Sequence, residues 1–281
     1  MTHNVRKLSP STAFELELSP AVAPRIVSVA AKFDRSTFHL EERPPPPPRP
    51  SGAGPSWESY LAARVELAEL VELFRAGVDA GCFGVEAAGR GAARTGPYVT
   101  EDATSRSETH ELALPAVEPG AFRALIGMAD VGLAERGLGR LTVRERAPAG
   151  TVLRAFDDLG LLRPFAPPFA VELERPEGAG DGSIVVVAER APDVAALASL
   201  GEILRVWGEL VGRGAFDLAS DQGGVAYSYG CVGEAGRSAE DEVAATLDTF
   251  CAGYDGWGAL WRALGHCHDM GLRIARVEVV L

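Results

Sequence analysis

The sequence predicts an α+β protein built from two successive units of similar layout. Three observations carry this expectation. Alternation of apolar and polar residues, the signature of a half-buried strand, opens each half of the chain, in Phe14-Glu-Leu-Glu-Leu18 and again in Phe169-Ala-Val-Glu-Leu173. An apolar stripe of helical period follows in each half. The series Phe122, Leu125, Ile126 and Ala129 recurs as Trp257, Leu260, Trp261 and Leu264 at a constant offset of 135 residues. Repetition of element order at a fixed spacing is how an internal duplication shows in sequence. With 281 residues and 47% apolar content, the chain can bury a core in each unit.

The elements follow in order. In the first unit, Phe14–Leu18 leads to the β-branched run Arg25-Ile-Val-Ser-Val-Ala30, with a further strand expected at Thr37–Glu41. A helix capped by Ser56 carries Leu67, Leu70, Val71 and Phe74 on one face and stops at Gly81-Cys-Phe83. Strands at Tyr98–Thr100 and Glu111–Leu114, the helix containing Phe122, and a strand at Arg140–Arg146 complete the unit. In the second unit, Phe169–Leu173 and Ser183-Ile-Val-Val-Val-Ala188 read as a hairpin across the glycine-rich turn Glu177–Gly182. A helix opens at Pro192-Asp193, with proline in its first turn, and carries Leu197, Leu200, Leu204, Trp207 and Val211. It stops at Gly214-Ala-Phe216, the counterpart of the first Gly-x-Phe turn. A strand at Val225–Tyr229 follows. An extra helix is expected over Ser238–Cys251, with Ser238 and Asp241 as a capping box and Val243, Leu247 and Phe250 as its stripe. The helix containing Trp257 and a strand at Arg273–Leu281 close the chain.

The shared order is β-β-α-β-α-β, which satisfies the rule of packed layers with antiparallel or mixed sheets and helices on one face. It loosely resembles the ferredoxin-like class in element content, though not in strand order. The first unit spans residues 1–147, a connector 148–167, and the second unit 168–281. Within the first, Arg43–Pro55 reads RPPPPPRPSGAGP, an extended polyproline loop inserted in the unit.

Charge is uneven between the halves. The net charge is −12. Residues 1–147 hold 17 basic and 19 acidic side chains, whereas residues 148–281 hold 10 and 20. An acidic chain repels phosphate backbones, so nucleic acid is not the expected partner. The bias to arginine, with only Lys7 and Lys32 as lysines, reflects composition and marks no site. Four scattered cysteines without CxxC spacing need no disulfide framework, and no apolar run approaches the length of a membrane span. The basic N-terminus lacks a following apolar segment, so the expected compartment is the cytoplasm.

Candidate chemistry is sparse. GxSxG, HExxH, GxxxxGK[ST] and a post-strand GxGxxG are absent from the sequence. Gly265-His-Cys-His-Asp269 concentrates metal-ligand types, but residues two apart on a helix diverge, so His266 and His268 are not expected to share an ion. Cys231 stands at a strand end with no base nearby in sequence. Arg90 and Arg94, in a glycine-rich loop, could grip an anion. Asp157-Asp158, Asp217 with Asp221, and Glu240–Glu242 are the main acidic groups; Glu240–Glu242 suit a helix first turn, whereas Asp217 and Asp221 have no such structural reason. Tyr227 and Tyr229 share one strand face beside them. The function expected is therefore non-catalytic: a cytoplasmic binding protein, of the kind an immunity or antitoxin protein is, that meets a basic protein partner through Asp217, Asp221, Tyr227 and Tyr229. The alternative is a small-molecule site or enzyme with its pocket between the two units. No cofactor, resident metal or membrane association is expected.

Overall fold

A computed structural model describes residues 8–34, 66–84, 91–101, 104–133, 137–147, 150–174, 182–217, 229–251 and 254–280. The polyproline segment, Thr37–Glu41, Ser56, Arg90, Asp221 and Tyr227 lie outside them.

Two five-stranded mixed sheets form, and a short extra strand joins the second. In the first unit, β1 (Ala13–Glu17), β2 (Ala23–Asp34), α1 (Leu67–Asp79), β3 (Ala93–Glu101), β4 (Ser105–Val117), α2 (Phe122–Leu133) and β5 (Leu138–Glu145) give the sheet order β1-β5-β2-β4-β3. In the second, β6 (Ala170–Glu174), β7 (Gly182–Ala188), α3 (Val194–Gly212), β8 (Tyr229–Val232), β9 (Gly236–Arg237), β10 (Glu242–Cys251), α4 (Tyr254–Asp269) and β11 (Ile274–Val280) give β6-β11-β7-β10-β8, with β9 also beside β10. The orders are the same, strand for strand. So are the directions: the first strand lies parallel to the last, and the remaining neighbours are antiparallel.

Registers repeat as well. One row across the first sheet runs Leu16, Val143, Val29, His110. Its counterpart in the second runs Val171, Val277, Val186, Val243. The sequence match of Phe14–Leu18 to Phe169–Leu173 therefore pairs residues that hold the same place in each sheet.

Two expectations are corrected. Ser238–Cys251 is not a helix: a turn leads from Ser238 into β10, which takes up Glu242–Cys251. Val243 and Leu247 are four apart, which suits one helix face and one strand face equally. Ala245 decides the matter, because Val243, Ala245 and Leu247 are all buried, a period of two. Ser238 caps nothing; its N–H donates to the Glu242 carbonyl at 3.1 Å in the turn before β10. Nor do β6 and β7 form a hairpin. The C-terminal strand β11 lies between them, as β5 lies between β1 and β2. A turn-rich connection shows where the chain bends but not which strand arrives later to fill the gap.

Helix faces follow the stripes. Leu67, Leu70, Val71 and Phe74 on α1 are buried, as are Leu200, Leu204, Trp207 and Val211 on α3. Asp193 caps α3 by accepting the Ala196 N–H at 2.7 Å, so Pro192 precedes the cap rather than sitting in the first turn. Gly81 and Gly214 both take left-handed backbone, φ 84° and 74°, which stops each helix without a Cβ clash. The phenylalanines beyond these turns, Phe83 and Phe216, meet each other with ring centroids 6.3 Å apart. The two equivalent turns thus touch across the junction of the units. There α1 packs on α3, and the apolar core is continuous through both units. No described helix is long and apolar enough to cross a membrane.

Candidate functional site

Those residues singled out from sequence that are described lie on different elements. Asp217 is 5% exposed, and its carboxylate lies against Gly214, whose own Cβ position is close to Val131 of α2. It belongs to the junction between units rather than to an outer face. Tyr229 opens β8, opposite Cys251, and Cys231 pairs with Asp248. Arg94 is on β3, where its guanidinium donates to the Ala68 carbonyl at 3.0 Å and pairs with Glu72 at 3.5 Å; it ties the strand to α1. Asp158 accepts the Ala155 N–H at 3.1 Å and caps the 3-10 turn Phe156–Leu159. His268 is buried, and its Nδ1 accepts the Ile274 N–H at 3.0 Å.

Two buried cysteines among the described residues are held quiet. Burial pushes the Cys82 thiol up to about 12 and the Cys267 thiol up to about 11, so neither offers a thiolate near neutral pH. Burial lowers His266, with Asp269 opposing.

Comparison of equivalent positions in the two sheets shows where they differ. On the outer face of the first sheet, Glu17 of β1 faces Arg144 of β5 and pairs with it at 2.7 Å. Glu15 pairs with Arg140 at 3.4 Å, and Glu111 with Arg146 at 2.8 Å. Repetition of the register puts Glu172 of β6 where Glu17 stands, and Glu278 of β11 where Arg144 stands. Two carboxylates face each other there. Arg276 is held by Glu278 at 2.6 Å and is also attracted by Glu172 and Glu242, so one arginine serves three carboxylates there. Glu172 and Glu174 make no ion pair among the described residues.

The inner face differs at the same strand. Leu16 and Leu18 of the first unit are 6% and 0% exposed, and Leu18 is bridged by backbone hydrogen bonds to Leu153 in the connector. Their counterparts Val171 and Leu173 are 38% and 52% exposed. All five residues of β6 are exposed. Among the described residues, its far edge pairs with nothing. Among the described residues, the second sheet therefore ends in a strand with open backbone groups, an exposed apolar side, and a side on which carboxylates outnumber their one arginine. An exposed apolar strand edge of this kind invites another strand.

A second concave feature is a cleft of about 920 Å³ between the units. The C-terminal end of α1, the N-terminal half of α3 and the C-terminal end of α4 form its walls. Ala76, Ala80, Ala196, Ile203, Val206 and Leu272 supply much of its apolar lining. Its acidic groups are each engaged within the fold: Asp79 with Arg75 and the Ala92 N–H, Asp193 with the Ala196 N–H, and Glu202 with Arg205.

Sequence reasoning located the acidic half but not its bare edge. The signal was present: Glu172 and Glu278 both lie in strands, whereas the equivalent of Glu278 is an arginine. Reading it required the register.

No family model and no curated protein matches this chain. Among solved structures, an inactive domain of a peptidase M16 from Pseudomonas fluorescens aligns at 11% identity over 88% of this chain and 74% of its own, with a TM-score of 0.15. A conserved protein from Enterococcus faecalis V583 aligns at 7% identity over 90% and 75%, with a TM-score of 0.14. Likenesses at that level bear on neither fold nor function.

Proposed function

We propose that this chain is a non-catalytic binding protein whose second unit receives a basic protein partner, and that the partner adds a strand to the free edge of β6. The carrying observation is the contrast between β1 and β6. At one fold position the first unit buries its apolar side and pairs Glu17 with Arg144; among the described residues, the second exposes its apolar side and sets Glu172 opposite Glu278. Strand addition gives affinity through main-chain hydrogen bonds and specificity through alternate side chains. On β6 those alternate positions ask for apolar residues beside Val171 and Leu173, and for lysine or arginine beside Glu172 and Glu174. Masking a partner in this way needs surface and charge, not a catalytic motif, which suits an immunity- or antitoxin-type inhibitor.

A peptide alternating valine and lysine over one strand length, against one alternating valine and glutamate, tests this. The basic peptide is expected to bind, more weakly as salt rises, since exposed charges are screened within about 10 Å at 0.1 M salt. Glu172→Lys with Glu174→Lys should abolish the preference for the basic peptide. Equal binding of both peptides would refute the proposal.

A further inference from the structure

The cleft between the units carries a different inference, independent of β6. His268 is 8% exposed, and its imidazole has two donors directed at it. The Ile274 N–H reaches Nδ1 at 3.0 Å, and the Arg273 guanidinium approaches Nε2 at 3.3 Å. A neutral imidazole has one lone pair, so it can accept only one of them. The backbone N–H holds Nδ1, which leaves the ring proton on Nε2, facing another donor. Two N–H groups thus face each other, and Arg273, which is exposed, lines the cleft.

Arg190 lines the same cleft and makes no ion pair among the described residues. Its strand end is adjacent to that of Arg273, because the Glu189 N–H donates to the Arg273 carbonyl at 2.8 Å. The carboxylates of the lining are already engaged. Arg190 and Arg273 are thus the cationic side chains of the lining left for a ligand, while Asp193 keeps its negative charge at the α3 cap. The rim is apolar: Val194 and Met270 are the two most exposed large hydrophobic residues among those described, at 83% and 75%. Met270 lines the cleft, and Val194 lies between Asp193 and Ala195, which also line it.

We infer that this cleft binds an amphipathic ligand with a carboxylate head and an apolar body. Arg273 and Arg190 hold the head, and the alanine-rich trough with Ile203, Val206 and Leu272 takes the body. A planar carboxylate matches the guanidinium fork. Asp193 already occupies the cap of α3, so the head is held by side chains and not by that helix end. The volume is within the range of small-molecule sites, about 300–1,000 Å³.

Titration calorimetry with decanoate, below its micelle-forming concentration, and with decylamine tests the inference. Decanoate is expected to bind and decylamine not. Arg190→Gln with Arg273→Gln should weaken decanoate at least about tenfold, as loss of charge-assisted hydrogen bonds does. If the double variant fails to fold, the exposed Arg190→Gln alone is expected to weaken decanoate about threefold or more on the same grounds. Absence of decanoate binding at millimolar concentration, equal binding of decylamine, or undiminished binding by the folded variants would overturn it. None of these outcomes bears on β6.

Discussion

Single residues decide how tightly the two units are joined. Gly77 on α1 is close to both Phe83 and Leu210, and a Cβ there would come within 2.7 Å of the first and 2.8 Å of the second. Gly77→Ala should therefore cost about 1–3 kcal/mol by overpacking, measured by denaturant unfolding. Glu108 and the fully buried His110 form a 2.7 Å contact on β4. The hydrogen bond from His110 holds the Glu108 carboxyl below its usual range. A carboxyl lowered on folding stabilises the fold at and above the ordinary carboxylate pKa, and that contribution is lost as pH falls through the lowered value. Glu108→Gln is thus expected to be less stable than the natural protein at neutral pH, with the difference shrinking as pH falls below the ordinary carboxylate range. Asp217 shows what sequence cannot supply at this scale. A carboxylate after a turn looks like surface, and only the approach of α2 from the other unit shows that it is enclosed.

At the scale of elements, most of the fold was legible, because its strands and helices carry clean periods. α1, α2, α3 and α4 all present the apolar faces their stripes imply. The failure at β10 has a definite cause: valine and leucine four residues apart satisfy both periods, and the small Ala245 between them carries little weight in a pattern. Pairing was less legible than element type, since β5 and β11 insert between strands that are successive in sequence. The contrast of β1 with β6 leads to a paired prediction. Leu18→Lys would bury a charge and should cost more than about 3 kcal/mol. Leu173→Lys, at the equivalent position but half exposed, should change stability by less than about 1 kcal/mol while removing the apolar side of the docking strand. Thermal melting of the two variants checks the first half, and titration with the basic peptide checks the second.

For the whole molecule, the repeated topology explains the junction. Equivalent Gly-x-Phe turns meet at Phe83 and Phe216, so each unit ends a helix against the other. Phe83→Ala and Phe216→Ala should each cost about 3–5 kcal/mol, and a double-mutant cycle should show coupling of about 0.5–1.5 kcal/mol, because the rings touch. Full additivity would mean that the units do not support each other there. Repetition also gives the functional reading its internal control: at the edge strand the first unit buries Leu16 and Leu18, bridges Leu18 to Leu153 and pairs its glutamates with arginines, whereas among the described residues the second exposes the equivalent side chains and sets like charges facing.

Amide hydrogen exchange across the two edge strands tests that claim most directly. In the free protein, amides of Ala170–Glu174 that point away from β11 should exchange faster than any in β2 or β7, which are paired on both sides. Added basic peptide should slow exchange at residues 170–174 and leave Ala13–Glu17 unchanged. Slow exchange along β6 in the free protein, or protection by the peptide elsewhere but not at β6, would contradict the account.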